Sequence, residues 1–149
     1  MPQIAPLGPF DLSEWGSPNR VELRLDPVGN KDGLVTYAGG ETETVIATNA
    51  VIRTPTVPAL QTQYTVSMRR PTKTSRLSQV RLKMTIPVEA KDALGKPLGT
   101  RSHENSVDVV YIFNEKSTLA ERRNLGNAMM ALLGQAYTQE IIFEQKSLY

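Results

Sequence analysis

Cysteine is absent from the 149 residues, and histidine occurs once, at His103. The first absence excludes disulfide scaffolds, thiolate metal sites and cysteine nucleophiles, and it suits a reducing compartment. The second removes most zinc hydrolysis, which usually needs two or three histidines. A Ser-His-Asp triad would have to use His103, which stands in the polar stretch Gly99-Thr100-Arg101-Ser102-His103-Glu104-Asn105 and reads as a solvated loop residue. No Gly-rich phosphate cradle follows a strand, and Gly39-Gly40 reads as a turn. No run of eighteen apolar residues is present, so no helix should span a bilayer. Met1 to Phe10 has neither a basic residue nor a continuous apolar stretch, which argues against a secretory signal. The expectation is a protein that is not an enzyme, with no catalytic or metal site, no cofactor, no small-molecule substrate and no membrane partner.

What is there suits one folded domain over 1–149: apolar residues make up 40% and charged residues 21%. Pro2, Pro6, Pro9 and Pro18 suggest an extended arm over 1–19. The net charge of +2 conceals a segregation. Between Glu43 and Glu89 there is no carboxylate, while Arg53, Arg69, Arg70, Lys73, Arg76, Arg81 and Lys83 all lie there. Alone, such a block is as well explained by a solvated face as by a binding site.

The periodicity beneath it decides between them. Tyr64, Val66 and Met68 alternate with Thr65, Ser67 and Arg69; Val80, Leu82, Met84 and Ile86 alternate with Gln79, Arg81, Lys83 and Thr85. Period-two alternation marks half-buried strands. The connection Arg70 to Arg76 has turn chemistry and further positive charge. An antiparallel hairpin would therefore gather Thr, Ser, Gln, Arg and Lys on one flat basic face, suited to a phosphate backbone. It lacks aromatic stacking platforms, because Tyr64 falls on the apolar side.

A third strand is expected over Ser106 to Phe113, with Val107, Val109, Tyr111 and Phe113 on one face. Weaker candidates are Arg20 to Leu25, Leu34 to Ala38 and Glu43 to Thr48, with turns at Asp26-Pro27 and Asn30-Lys31-Asp32-Gly33. Residues 86–105, containing Pro87, Gly95, Pro97 and Gly99, read as a long loop within a β-rich region spanning 20–113. A helical region over 118–149 follows. Thr118-Leu119-Ala120-Glu121 is a capping box, Leu125, Ala128, Met129 and Leu132 recur at helical spacing, and Gly134 is a stop. Met129-Met130 is core or interface, Gly126 is a close helix crossing or a tolerated accident, and Thr138 to Gln145 is a short helix or a strand. Strands first and helices last give an α+β class. One or two helices cover so large a sheet poorly, which implies a partner chain lending its own.

The ordered set of these segments resembles the coat proteins of single-stranded RNA bacteriophages, the leviviruses, and within them the Q-beta-like branch. It is carried by Val57-Pro58-Ala59-Leu60 leading into Thr65-Val66-Ser67, the basic hairpin, and Val80-Arg81-Leu82-Lys83-Met84. Asp108-Val109, Ser117-Thr118, Glu121-Arg122, Ala131-Leu132-Leu133 and the closing Ser147-Leu148-Tyr149 complete it. The resemblance covers Val57 to Tyr149. Val21 to Gly33 looks like the family's opening hairpin, and Gly39 to Thr56 looks like an insertion.

The resemblance implies an N-terminal β-hairpin, a five-stranded antiparallel meander sheet and two C-terminal helices that cover the partner's sheet in an interlocked homodimer. Dimers would close an icosahedral shell, commonly T=3, in a virion assembled in the cytoplasm of a bacterial host. The 86–105 loop would meet its copies around symmetry axes, and disulfide rings there are ruled out. The sheet's wet face would bind single-stranded viral RNA, including a hairpin operator whose capture represses translation. Thr65, Ser67, Gln79 and Arg81 would line the base pockets, with Arg69 and Lys83 on the same face and Lys73 and Arg76 in the loop beside it. Asp108 matches an acidic residue of the Q-beta branch, and Ser106 stands where the family has a base-stacking tyrosine. The dimer interface would take in Val107, Val109, Tyr111, Phe113, Leu125, Met129 and Leu132. The rival reading is a dimeric RNA-binding regulator that uses the same face and never assembles.

Overall fold

A computed structural model describes residues 5–13, 17–31, 34–53 and 57–146. Seven strands and two helices follow in order: β1 (Leu7–Asp11), β2 (Asn19–Lys31), β3 (Leu34–Val45), β4 (Ala50–Arg53), β5 (Thr62–Arg69), β6 (Leu77–Lys91), β7 (Pro97–Asn114), α1 (Leu119–Leu133) and α2 (Ala136–Phe143). One sheet holds all seven strands in the order β1-β2-β3-β5-β6-β7, with β4 folded back onto the far end of β3. Strands then helices is the expected α+β order; where an N-terminal hairpin and a five-stranded meander were expected, a single sheet takes in seven strands, of which β1 and β4 are short.

Backbone contacts divide the chain into two units, residues 1–70 with 79–112 and residues 71–78 with 113–149. In the first unit, β2 and β3 form one long antiparallel ladder from Asn19↔Val45 to Lys31↔Leu34. Neither Asp26-Pro27 nor Gly39-Gly40 is a turn. Pro27 tolerates its place because β1 pairs with β2 only as far as Leu25, so its missing N–H faces no neighbour on that side. The register then shifts between Pro27 and Gly29, and exposed Val28 is the extra residue of the bulge. Gly39 lies opposite Leu25, where the two backbones approach so closely that a side chain has no room. The candidates Leu34 to Ala38 and Glu43 to Thr48 thus fall on one strand, which ends at Val45, so that Ile46 to Thr48 belong to the turn before β4. The Asp32-Gly33 part of the expected turn lies outside the described residues, as do 1–4 and 14–16 of the arm; within that arm, β1 pairs with β2 through Leu7↔Leu25 and Asp11↔Glu22.

The expected loop over 86–105 is the end of a hairpin. β6 runs on to Lys91 and β7 starts at Pro97, so only Asp92 to Lys96 turns. Pro87 is accommodated because the β5–β6 ladder ends at Gln63↔Thr85, leaving that side of β6 open. Asp92 makes the turn: its Oδ1 accepts from Leu94 N (2.9 Å) and Lys96 N (2.8 Å), and Gly95 takes φ +81°. His103 is accordingly a strand residue, exposed, with Nδ1 3.1 Å from Ser102 Oγ.

In the second unit, α1 begins at the expected cap. Thr118 Oγ1 accepts from Glu121 N (3.2 Å) and Glu121 Oε2 accepts from Thr118 N (2.9 Å). Gly134 ends it, and α2 resolves the helix-or-strand alternative in favour of helix. Thr118→Ala should lower unfolding free energy by about 1 kcal/mol, read from urea melts. An unchanged midpoint would mean the cap adds nothing.

The buried apolar side chains among the described residues are Leu23 and Leu25. Neither helix buries a residue. So many uncovered apolar positions would be costly in a finished assembly.

Candidate RNA-binding face

Antiparallel pairing puts directly opposed residues on the same face of a sheet. Thr65 opposes Lys83, Ser67 opposes Arg81, and Arg69 opposes Gln79. Six of the expected RNA-binding residues therefore form a block two strands wide and three rows deep. β3 extends two of those rows, with Thr36 opposite Thr65 and Leu34 opposite Ser67. Thr36 was not found from the sequence, because β3 shows no clean alternation; the register alone places it here.

Asp108 joins the block from β7. Arg81 Nε donates to Asp108 Oδ1 (2.9 Å) and to Oδ2 (3.1 Å), and Nη2 donates to Oδ2 as well. The forked geometry matches a planar guanidinium to a carboxylate. Hydrogen bonding to Arg81 holds the Asp108 carboxyl below the usual range against desolvation, with smaller help from the charges of Arg81 and Lys83. The same bond raises Arg81. A carboxyl lowered in the folded state adds stability above its unfolded pKa and loses it as pH falls through the folded value. The pair is therefore intact at neutral pH. Ser106, two residues along β7 from Asp108, shares its face and is exposed.

Arg69 and Lys83 are exposed, and neither is held in an ion pair among the described residues. Lys73 and Arg76 belong to the second unit. Lys73 is exposed in the 70–76 connection, and Arg76 gives its charge to Glu115 Oε1 at 2.9 Å. A hollow of about 360 Å³ elsewhere in the first unit is lined by Glu41, Glu43 and Glu89 among others, which makes it a poor seat for phosphate.

The reverse face of the same strands is apolar. Tyr64 opposes Met84, Val66 opposes Leu82 and Met68 opposes Val80; Val35 and Tyr37 of β3 oppose Val66 and Tyr64. The Tyr37 and Tyr64 rings lie 5.8 Å apart at 37°, and partial burial with the neighbouring phenol raises Tyr64. Of the residues expected at the dimer interface, Val109, Tyr111 and Phe113 are half-buried, while Val107 is 55% exposed. In the second unit Leu125, Met129 and Leu132 are 47%, 40% and 52% exposed, a stripe at helical spacing.

Comparison with known proteins gives this architecture a family. In fold, the chain is similar to the virus-like particle subunit of Beihai levi-like virus 21 (TM-score 0.69, 17% identity, 99% of each chain covered). It is likewise similar to that of bacteriophage ESE058 (TM-score 0.71, 16% identity, 99% of this chain and 100% of that one). The bacteriophage GA capsid protein matches at TM-score 0.63 and 14% identity over 97% of each chain. No match is found among curated protein sequences. The levivirus coat protein family profile matches residues 21–149, so it takes in β2 and β3 as well as the region from Val57 onward. The chain belongs to the levivirus coat protein family, a family of structural proteins rather than enzymes.

Proposed function

We propose that this coat protein forms an interlocked homodimer, builds a closed shell from dimers, and binds single-stranded RNA on the wet face of β5, β6 and β7. One observation supports all three parts: the two faces of the same strands differ in character. One face carries Arg69, Lys83, Thr65, Ser67 and Gln79, and the other is apolar. The chain exposes 11574 Å², where a folded monomer of 16.5 kDa exposes about 7,500 Å². The surplus, about 4,000 Å² per chain and so about 8,000 Å² for two, is more than enough for the roughly 2,000–5,000 Å² that an obligate dimer buries over both partners. A second copy suits these surfaces, because each copy carries both an apolar sheet face and an exposed apolar helical stripe.

Binding of a hairpin operator, with translational repression, belongs to the same face. Ser106 supplies no aromatic platform, and stacking on one is worth about 1–3 kcal/mol per base. General phosphate attraction needs only the cations. In the double variant Arg69→Ala with Lys83→Ala, RNA affinity should fall and the slope of log affinity against log salt should flatten by about 1.4, while dimers persist. Fluorescence anisotropy of labelled RNA at several salt concentrations measures this. An unchanged slope would remove these strands from the RNA site.

A further inference from the structure

We propose that Arg122 of one copy pairs with Glu41 of the other, so that a charge contact fixes where α1 lies on its partner's sheet. The inference rests on the homodimer reading above and adds a register to it, which apolar burial, being non-directional, does not supply.

Directly opposed residues carry one face of the sheet from strand to strand. Val66 and Tyr64 of the apolar face oppose Val35 and Tyr37 of β3, and by twos the same face runs on to Gly39, Glu41 and Glu43. On β2, Leu25, Leu23 and Val21 oppose those three in turn. Two carboxylates therefore stand on the face that a second copy would cover. Glu43 is already engaged, its Oε1 accepting from Asn19 Nδ2 at 2.8 Å. Glu41 is half-buried, and no hydrogen bond or ion pair holds it among the described residues. It lines the hollow of about 360 Å³ together with Val21, Leu60, Glu43, Glu89 and Lys91. Among the described lining residues three carboxylates meet one ammonium, so the hollow favours a cation on a long, partly apolar stem.

The helix supplies such a cation. Arg122 stands one turn before Leu125 and two before Met129, so it continues the exposed apolar stripe of α1 toward its start. Arg122 is itself exposed and has no ion pair among the described residues. A second copy laid against the stripe takes that charge out of water, which is costly unless a carboxylate meets it. Leu125, Met129 and Leu132 match the apolar residues of the sheet, and Arg122 matches the carboxylate among them. Two-fold symmetry makes the contact twice, Arg122 of each copy meeting Glu41 of the other.

The test uses full-length chains: Arg122→Glu, Glu41→Arg, both changes in one chain, and co-expression of the two single variants under different affinity tags. Each single variant places like charges at both contacts of its own dimer. Its dissociation constant by sedimentation should rise about tenfold per contact, and so about a hundredfold per dimer. A mixed dimer of the two single variants has opposite charges at both contacts, and sequential purification on the two tags should recover it. The chain with both changes should dimerise as the parent does. Rescue in the mixed dimer is specific to a contact between copies, because each chain there still carries like charges at its own two positions. Co-expression reads the pair even where a single variant is insoluble alone. Mixed chains that fail to pair would overturn the contact, as would single variants that dimerise like the parent. Arg123→Glu changes net charge equally from beside the stripe, and an equal loss there would also overturn it. A parent that stays monomeric overturns the homodimer reading itself, whereas a parental dimer unmoved by these variants overturns the contact alone.

Discussion

A Met129→Asp chain should yield neither the dimers nor the particles expected of the unaltered protein. Met129 lies in the middle of the Leu125, Met129 and Leu132 stripe of α1 and is 40% exposed in the single chain. If that stripe faced solvent in the finished assembly, an aspartate there would change stability by no more than about 0.5 kcal/mol. If a second copy covers it, each dimer must bury two unpaired carboxylates, at several kcal/mol each. The two cases differ enough for a single gel-filtration run to separate them. Asn127→Asp, on the same helix but off the stripe, should assemble normally and controls for helix propensity and net charge. A fully assembled Met129→Asp protein would place the helix outside the interface.

Gly39→Ala should be the most damaging single methyl in the first unit. A Cβ at Gly39 would sit 1.7 Å from the Arg24 carbonyl oxygen and 3.1 Å from Leu25 Cα, all of it backbone. No rotamer change relieves an overlap with the neighbouring strand, so β2 and β3 must separate where Leu25 opposes Gly39. Leu25 is 1% exposed, so that separation also opens the small core. Overpacking of side chains alone costs about 1–3 kcal/mol, and a backbone overlap should exceed it, leaving little soluble protein. Gly29→Ala, with nothing within 4 Å of the new Cβ, should express and melt close to the parent. Equal melting of the two variants would mean that the β2–β3 approach is looser than described.

These two residues also show what the sequence makes legible. The stripe around Met129 follows from helical spacing and the Thr118 cap, both local in the chain, and the helix forms where they point. Gly39 was read as a turn because Gly-Gly is turn chemistry, and the need for it lies on a strand fourteen residues earlier. The same blindness hid the long β6–β7 hairpin. Pro87, Pro97 and two glycines look like a loop until the end of the β5 ladder at Thr85 shows that a proline there interrupts nothing.

The candidate site divides in the same way. Thr65, Ser67, Arg69, Gln79, Arg81 and Lys83 alternate within two neighbouring strands, so their common face could be read from residue order alone. Thr36 and the Arg81–Asp108 pair could not. One needs the β3–β5 register, and the other needs two strands once separated by an imagined twenty-residue loop.

The most direct test of the account is gel filtration of the recombinant protein, with the 260/280 nm absorbance ratio and negative-stain microscopy on the leading peak. Uniform closed particles with the absorbance of packaged nucleic acid are the predicted result. A clean dimer that stays a dimer when RNA and assembly-permissive salt are supplied would contradict it, and would identify a regulator that reads RNA without enclosing it.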